Sequence, residues 1–125
     1  MCGIFSYKGD KHSWDSLASD INLISYRGPE NTHHEMAGDD VLFAFHRLAI
    51  MGTTEMSDQP MKHPNDNSLT LICNGEIYNY KTLAEKYGFN LATGSDCEII
   101  LYMFEKFGIE KTVQELDGVF MFVIH

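Results

Sequence analysis

Apolar residues come in short runs whose spacing changes along the chain, and each change predicts an element. Ile4 to Tyr7 is long enough for one strand, and Lys8-Gly9-Asp10-Lys11 reads as a turn. Trp14, Leu17, Ile21 and Ile24 recur at helical spacing behind Ser13, a good N-cap, with Gly28-Pro29 as the stop. Residues 28 to 40 are polar and predict a loop. Val41 to His46 alternate with period two and are largely apolar on both faces, which predicts a strand covered on each side. The polar stretch 52 to 68 predicts a long loop, of the kind that is often functional.

Ser68 to Cys73 predicts the next strand, Asn74-Gly75 a tight turn, and Ile77-Tyr78 the start of a returning strand. Asn79 then caps a short helix carrying Leu83, Ala84 and Tyr87, ended by Gly88. Ser95 and Glu98 have capping-box spacing ahead of Ile99, Ile100, Met103, Phe104 and Phe107, with Gly108 as the stop. A brief helical stretch surrounds Val113 and Leu116. Val119 to Ile124 is a nearly all-apolar strand, either complete within a sheet or the last strand of a fragment of a larger domain. The pattern predicts one domain with at least four strands and two to four helices, and leaves the winding of the sheet open.

Composition narrows the function classes. The 125 residues are 44% hydrophobic and 22% charged, with net charge -9 and only two arginines, Arg27 and Arg47. That balance disfavours nucleic acid and anionic membrane surfaces as partners. Three cysteines make no disulfide scaffold and point to a reducing compartment, and no secretory signal or membrane-length apolar run is present. The expected location is the cytoplasm. The six histidines and the cysteines show no metal-ligand spacing, so no metal is expected; nothing resembles a phosphate-cradling glycine loop, and no cofactor is expected.

Several residues carry candidate chemistry. If Met1 is removed, Cys2 bears a free α-amine, a group with reference pKa near ~7.7–8.0 beside a thiol near ~8.5, so one residue supplies both base and nucleophile. Its alternative is a small residue starting a strand. Asn74 and Gly75 could direct a side-chain amide and a backbone N–H at a developing oxyanion, or could form a plain turn. Arg47 suits a carboxylate or closes a core edge with its stem. Asp96 suits a helix start or a substrate ammonium. Arg27, in the turn-like Arg27-Gly28-Pro29-Glu30, could anchor a neighbouring loop.

Five islands occur in order: Met1-Cys2-Gly3-Ile4-Phe5, Tyr26-Arg27-Gly28-Pro29, His46-Arg47-Leu48-Ala49-Ile50, Asn74-Gly75-Glu76-Ile77-Tyr78-Asn79 and Gly94-Ser95-Asp96-Cys97-Glu98. Together they resemble the class II glutamine amidotransferases, and most of all the glutaminase domain of glutamine-hydrolysing asparagine synthetases. The resemblance extends through Leu116-Asp117-Gly118-Val119-Phe120 to the last strand. It implies an α+β fold, the four-layer αββα sandwich of N-terminal-nucleophile hydrolases, here truncated at its C-terminal end, so that residues 1–125 are a partial glutaminase domain with no synthetase domain. It implies hydrolysis of glutamine to glutamate and ammonia through a thioester on Cys2, with Asn74 and Gly75 holding the oxyanion.

On the same resemblance Arg47 takes the α-carboxylate of glutamine and Asp96 its α-amine, the backbone around Ile50 and Glu76 lines the pocket, and Arg27 is structural or at the pocket edge. The ammonia passes to a synthetase domain or subunit, and self-association could cover what the missing strands expose. A catalytically silent glutamine-binding or structural homologue is the alternative. The chain departs from the family at Ala49, where serine is usual, at Tyr26, where histidine is usual, and at Met51-Gly52, where valine-aspartate is usual.

Overall fold

The computed structural model describes residues 2–48 and 57–125; Met1, Ala49, Ile50 and Met51-Gly52 lie outside the described residues. The described residues form two antiparallel three-stranded sheets, three helices and a 3-10 turn. Strand β1 (Gly3–Lys8) leads to α1 (Trp14–Asn22), a 3-10 turn at Ser25–Arg27, β2 (Asn31–Gly38) and β3 (Val41–Arg47). The first sheet has the order β1-β3-β2, so β3 is central and all of its residues from Val41 to His46 are buried. Alternation sends Leu42 and Ala44 against Ile21, Leu17 and Trp14 of α1, and Val41 and Phe43 against the second sheet, as the two-faced pattern predicts.

Two expectations fail in this half. Residues 31 to 38 are a strand, not a loop: β2 runs Asn31↔Arg47 to Met36↔Leu42 against β3 and bulges before Gly38. As an edge strand its polar side chains stay partly solvated while its backbone gains a ladder, so pairing overrides weak propensity. Helix α1 ends at Asn22, short of the Gly28-Pro29 stop. Ser13 does sit at its N-cap, with the Ser16 hydroxyl accepting from the Ser13 N–H at 2.9 Å. Gly28 has a different use, since a Cβ there would lie 2.1 Å from the His46 carbonyl oxygen. The chain can pass so close to β3 only without a side chain.

The second sheet has the order β4-β5-β6, from β4 (Met61–His63), β5 (Asp66–Ile77) and β6 (Gly118–Ile124). Part of the expected long loop is therefore strand. Asn74-Gly75 makes no turn: β5 runs straight through it, with Asn74↔Met121 and Gly75↔Phe120 in register. Glycine is needed at 75 for proximity, because a Cβ would lie 2.3 Å from the Val119 carbonyl oxygen.

Leu71, Cys73 and Ile77 on one face of β5 pack with Leu83 of α2 (Tyr80–Tyr87) and with Ile99 to Met103 of α3 (Glu98–Glu115). Ile72, on the other face, packs with Val41, Phe43 and Ile4 of the first sheet. Burying each large aliphatic side chain contributes about 1.5–3 kcal/mol, so these three clusters set the packing order: α1, first sheet, second sheet, α2 with α3. Gly108, at φ 76°, breaks α3 in the left-handed region where the sequence predicts a stop. The Ser95–Glu98 capping box does not form; α3 begins at Glu98, and its carboxylate reaches back instead to Ala92 and Thr93. Asn79 precedes α2 as expected, but its side chain serves the end of α3, donating to Glu115 O at 2.8 Å and accepting from Asp117 N at 3.0 Å.

Glu115 ties the two helices, accepting from Lys86 Nζ at 2.8 Å and Tyr87 Oη at 2.7 Å. The Lys86 bond, then the Tyr87 bond, holds the Glu115 carboxyl below its ordinary value, and the same pair raises Lys86. A carboxyl lowered on folding stabilises the fold above its unfolded value, and that contribution is lost as pH falls through the lowered folded value. Glu115→Gln is expected to reduce Tm by a few degrees at pH 7 and to match the parent once the pH is low enough to protonate Glu115 in the folded protein. Melting curves across that range check this, and a gap independent of pH would remove ionisation of Glu115 as its cause.

Candidate functional site

The site grows from one edge of β5. Thr70 and His125 exchange both backbone bonds, at 2.8 and 2.9 Å, and Tyr78 N donates to Asp117 O at 2.7 Å. In an antiparallel pair such bonds recur at every second residue, so the N–H groups of Cys73, Gly75 and Ile77 point away from β6. Strand β4 covers that edge only as far as Leu71, opposite Met61. Beyond it, side chains take over. Gln59 Oε1 accepts from Cys73 N at 2.5 Å, and Asp96 Oδ2 accepts from Ile77 N at 2.6 Å. Between these two capped donors lies the Gly75 N–H, directed toward a cleft that Gly75 lines together with Cys2, Arg47, Asn74 and Asp96.

Asn74 sits beside it. Its Oδ1 is buried and has no hydrogen-bond partner among the described residues. A buried polar atom left unpaired typically costs about 1–3 kcal/mol.

Cys2 reaches the same cleft from the first sheet. The register Gly3↔His46 places it just past the end of the β1–β3 ladder, next to Leu48. Its Sγ donates to Leu48 O at 3.5 Å and accepts from Leu48 N at 3.3 Å, so the sulfur is held on both sides by one residue. Arg27 Nε donates to the Cys2 carbonyl at 3.1 Å, which shows the arginine anchoring the cysteine's backbone. Arg27 is brought there by the turn that Gly28 allows. His46 beneath is structural: its Nε2–H donates to Ile21 O at 2.9 Å, and its Nδ1 lies 2.8 Å from the Thr32 hydroxyl.

The two charged groups expected to meet a substrate both line the cleft. Arg47 pairs through Nη1 with Asp58 Oδ1, and Asp58 Oδ2 lies 3.3 Å from His33 Nε2. Asp96 is buried and held by its bond to Ile77. The loop before it is fastened by fully buried Glu98, whose carboxylate accepts from Ala92 N at 2.9 Å, Thr93 N at 2.8 Å and Thr93 Oγ1 at 2.7 Å. Glu76 is exposed but contributes to the cleft wall. Ile50 lies outside the described residues.

The structure therefore brings together Cys2, Arg47, Asn74, Gly75, Glu76 and Asp96, with Arg27 immediately behind. Sequence reasoning missed Ser57, Asp58 and Gln59, which fasten the cleft wall, and missed Glu98 as more than a helix start. Nothing periodic marks residues 57 to 59; the only local sign was an unusually long polar stretch.

Comparison with known proteins agrees with this arrangement. A family model described as a glutamine amidotransferase domain matches residues 1–125. The chain is 42% identical over 130 residues to a probable glutamine-hydrolysing asparagine synthetase of Acanthamoeba polyphaga mimivirus, covering 99% of the chain and 23% of that protein. It is 37% and 36% identical over 126 residues to the glutamine-hydrolysing asparagine synthetases of Rattus norvegicus and Homo sapiens, covering 99% of the chain and 22% of each relative. The chain thus spans less than a quarter of the length of these relatives. With the family match running the whole chain and the cleft built from the residues its motifs supply, the chain belongs to the glutamine amidotransferase domain family.

Proposed function

We propose that this chain hydrolyses the side-chain amide of glutamine, and that it does so as the glutaminase module of an asparagine synthetase-like system in the cytoplasm. The observation that carries the reading is the Gly75 N–H, which has no partner among the described residues, lying between two capped donors and beside the Asn74 amide in a cleft that Cys2 also lines. Two donors beside a nucleophile suit the negative oxygen of an acyl-transfer intermediate. On this reading the packing order of helices and sheets is the αββα sandwich of the N-terminal-nucleophile hydrolases, and residues 1–125 supply part of that domain.

The steps follow from the residues. Removal of Met1 exposes the Cys2 α-amine, which takes the Sγ proton as the sulfur attacks the carboxamide carbon. The carbonyl electron pair moves onto oxygen, where Asn74 Nδ2 and the Gly75 N–H donate to it. As the C–N bond breaks, the α-ammonium returns its proton to the departing nitrogen, and ammonia leaves a γ-glutamyl thioester. Water then attacks the thioester with the amine again as base, releasing glutamate and the thiol. Arg47 meets the α-carboxylate and Asp96 the α-amine, so the substrate's two charged ends are fixed and its amide is placed at the sulfur. Glu76 contributes to the pocket wall. No cofactor enters. The ammonia is consumed by a synthetase domain or subunit.

The sulfur contacts of Cys2 and the burial of the other two thiols set their reactivity apart. Cys73 and Cys97 are buried, and the Cys97 thiol is pushed up by its hydrogen bond with Cys73 and by burial, while Cys2 is partly exposed. Brief iodoacetamide treatment of the folded protein is expected to give one adduct, at Cys2, with Cys73 and Cys97 modified only after denaturation. Early labelling of either buried thiol contradicts this arrangement.

Ammonia release from glutamine tests the function directly. Cys2→Ala is expected to abolish it, and Asn74→Ala to lower kcat by about 10²–10³, the range found when one oxyanion donor is removed. A diazo-ketone analogue of glutamine should leave one stoichiometric adduct on Cys2. If protein shown by intact mass to lack Met1 forms no adduct and releases no ammonia, a silent glutamine-binding or structural homologue is the correct reading.

A further inference from the structure

Arg47 presents a planar fork of donors, which recognises a carboxylate only when its plane is correctly set. Asp58 holds that fork at Nη1, and its second oxygen lies 3.3 Å from His33 Nε2. Asp58 lies between Ser57 and Gln59, which are buried and line the cleft, yet Asp58 does not line it. Its carboxylate meets the guanidinium of Arg47, which is itself among the residues lining the cleft. The two neighbours grip other parts of the wall. Ser57 Oγ donates to Thr93 O at 3.1 Å, in the loop leading to Asp96, and Gln59 caps Cys73 N, next to Asn74. Three successive residues thus fix the guanidinium, the Asp96 loop and the oxyanion strand.

We infer that Asp58 is a positioning residue for carboxylate recognition: it holds the Arg47 guanidinium in a binding orientation from outside the cleft, and so sets the preference of the site for amides that carry an α-carboxylate. The inference rests on the glutamine reading and deepens it. Its physical content is pre-organisation. A long arginine side chain already ordered before binding spends less affinity on being ordered by the ligand. Charge acts in the opposite direction, because an aspartate on Nη1 offsets part of the attraction Arg47 offers a substrate. Orientation and competition therefore predict opposite signs, and the place of Asp58 outside the lining favours orientation.

The test compares the full chain with Asp58→Asn and Asp58→Glu, using glutamine as substrate and 4-aminobutanamide, which is glutamine without its α-carboxylate, as a competing ligand. Asp58→Asn is expected to raise KM for glutamine about tenfold, the scale of one charge-assisted hydrogen bond, with kcat within about twofold. The Ki of 4-aminobutanamide should not change, and Asp58→Glu should recover much of the glutamine KM. A fall in KM shows that Asp58 competes with the substrate and overturns the inference. An unchanged KM, or an equal loss for both ligands, overturns it as well, the second by showing a general disturbance of the cleft. If the parent protein releases no ammonia from glutamine and binds neither ligand, the glutaminase reading fails first and this inference fails with it.

Discussion

The site depends on how the free edge of β5 is satisfied. A buried backbone N–H needs a partner, and β4 stops providing partners at Leu71. Two side chains from distant parts of the chain fill the next positions, Gln59 at Cys73 and Asp96 at Ile77, and the donor between them is directed into the cleft. One consequence is that Asp96 has two duties. The carboxylate that lines the cleft also completes the sheet, so its orientation is set by the strand it caps. Glu98 extends the same logic one step outward, since four donor contacts from Ala92 and Thr93 converge on its buried carboxylate and hold the loop that delivers Asp96.

The other wall is fixed by register. Gly3↔His46 begins the β1–β3 ladder, so Cys2 falls opposite the backbone just beyond it and its sulfur meets Leu48. A slip of one residue would turn every side chain of β1 to the opposite face and carry Cys2 away from the cleft. Such a slip is expensive, because Phe5 and Tyr7 would leave the cluster under α1 and Ile4 would leave the cluster facing the second sheet. Gly28 and Arg27 add a local lock: the close approach of the turn to His46 brings Arg27 Nε onto the Cys2 carbonyl.

What was legible in the sequence follows from which signals are local. Val41 to His46 could be read because burial on two faces leaves a two-sided apolar pattern, and Gly108 because a left-handed residue breaks a helix wherever it falls. Asn74-Gly75 was singled out as a turn, yet the glycine serves close approach to β6 and the dipeptide lies inside a strand. Strand β2 could not be read, since an edge strand with half-solvated side chains carries little hydrophobic alternation. Cys2, Arg47 and Asp96 stood out through motif resemblance, but their convergence rests on contacts such as Cys2 with Leu48 and Ile77 with Asp96, which no local window contains. Asp58 and Gln59 were invisible for the same reason: their importance lies wholly in partners elsewhere in the chain.

Three thiols line one cleft, and the fold makes them unequal. Cys73 and Cys97 are free thiols buried in the core beneath the second sheet with Leu71, Ile77 and Leu83, and the hydrogen bond with Cys73, then burial, pushes the Cys97 thiol up. Neither can be a practical nucleophile. Cys2 has the reverse surroundings: it is partly exposed, its sulfur faces a backbone N–H, and its carbonyl accepts from a guanidinium. Negative charge developing on that sulfur therefore meets a donor rather than hydrocarbon. The proposed preference for Cys2 as nucleophile does not rest on its place at the start of the chain, although the proposed mechanism uses that place for its base. It comes from the dielectric contrast between the helix side of the second sheet and the gap between the two sheets, which is a property of the whole fold.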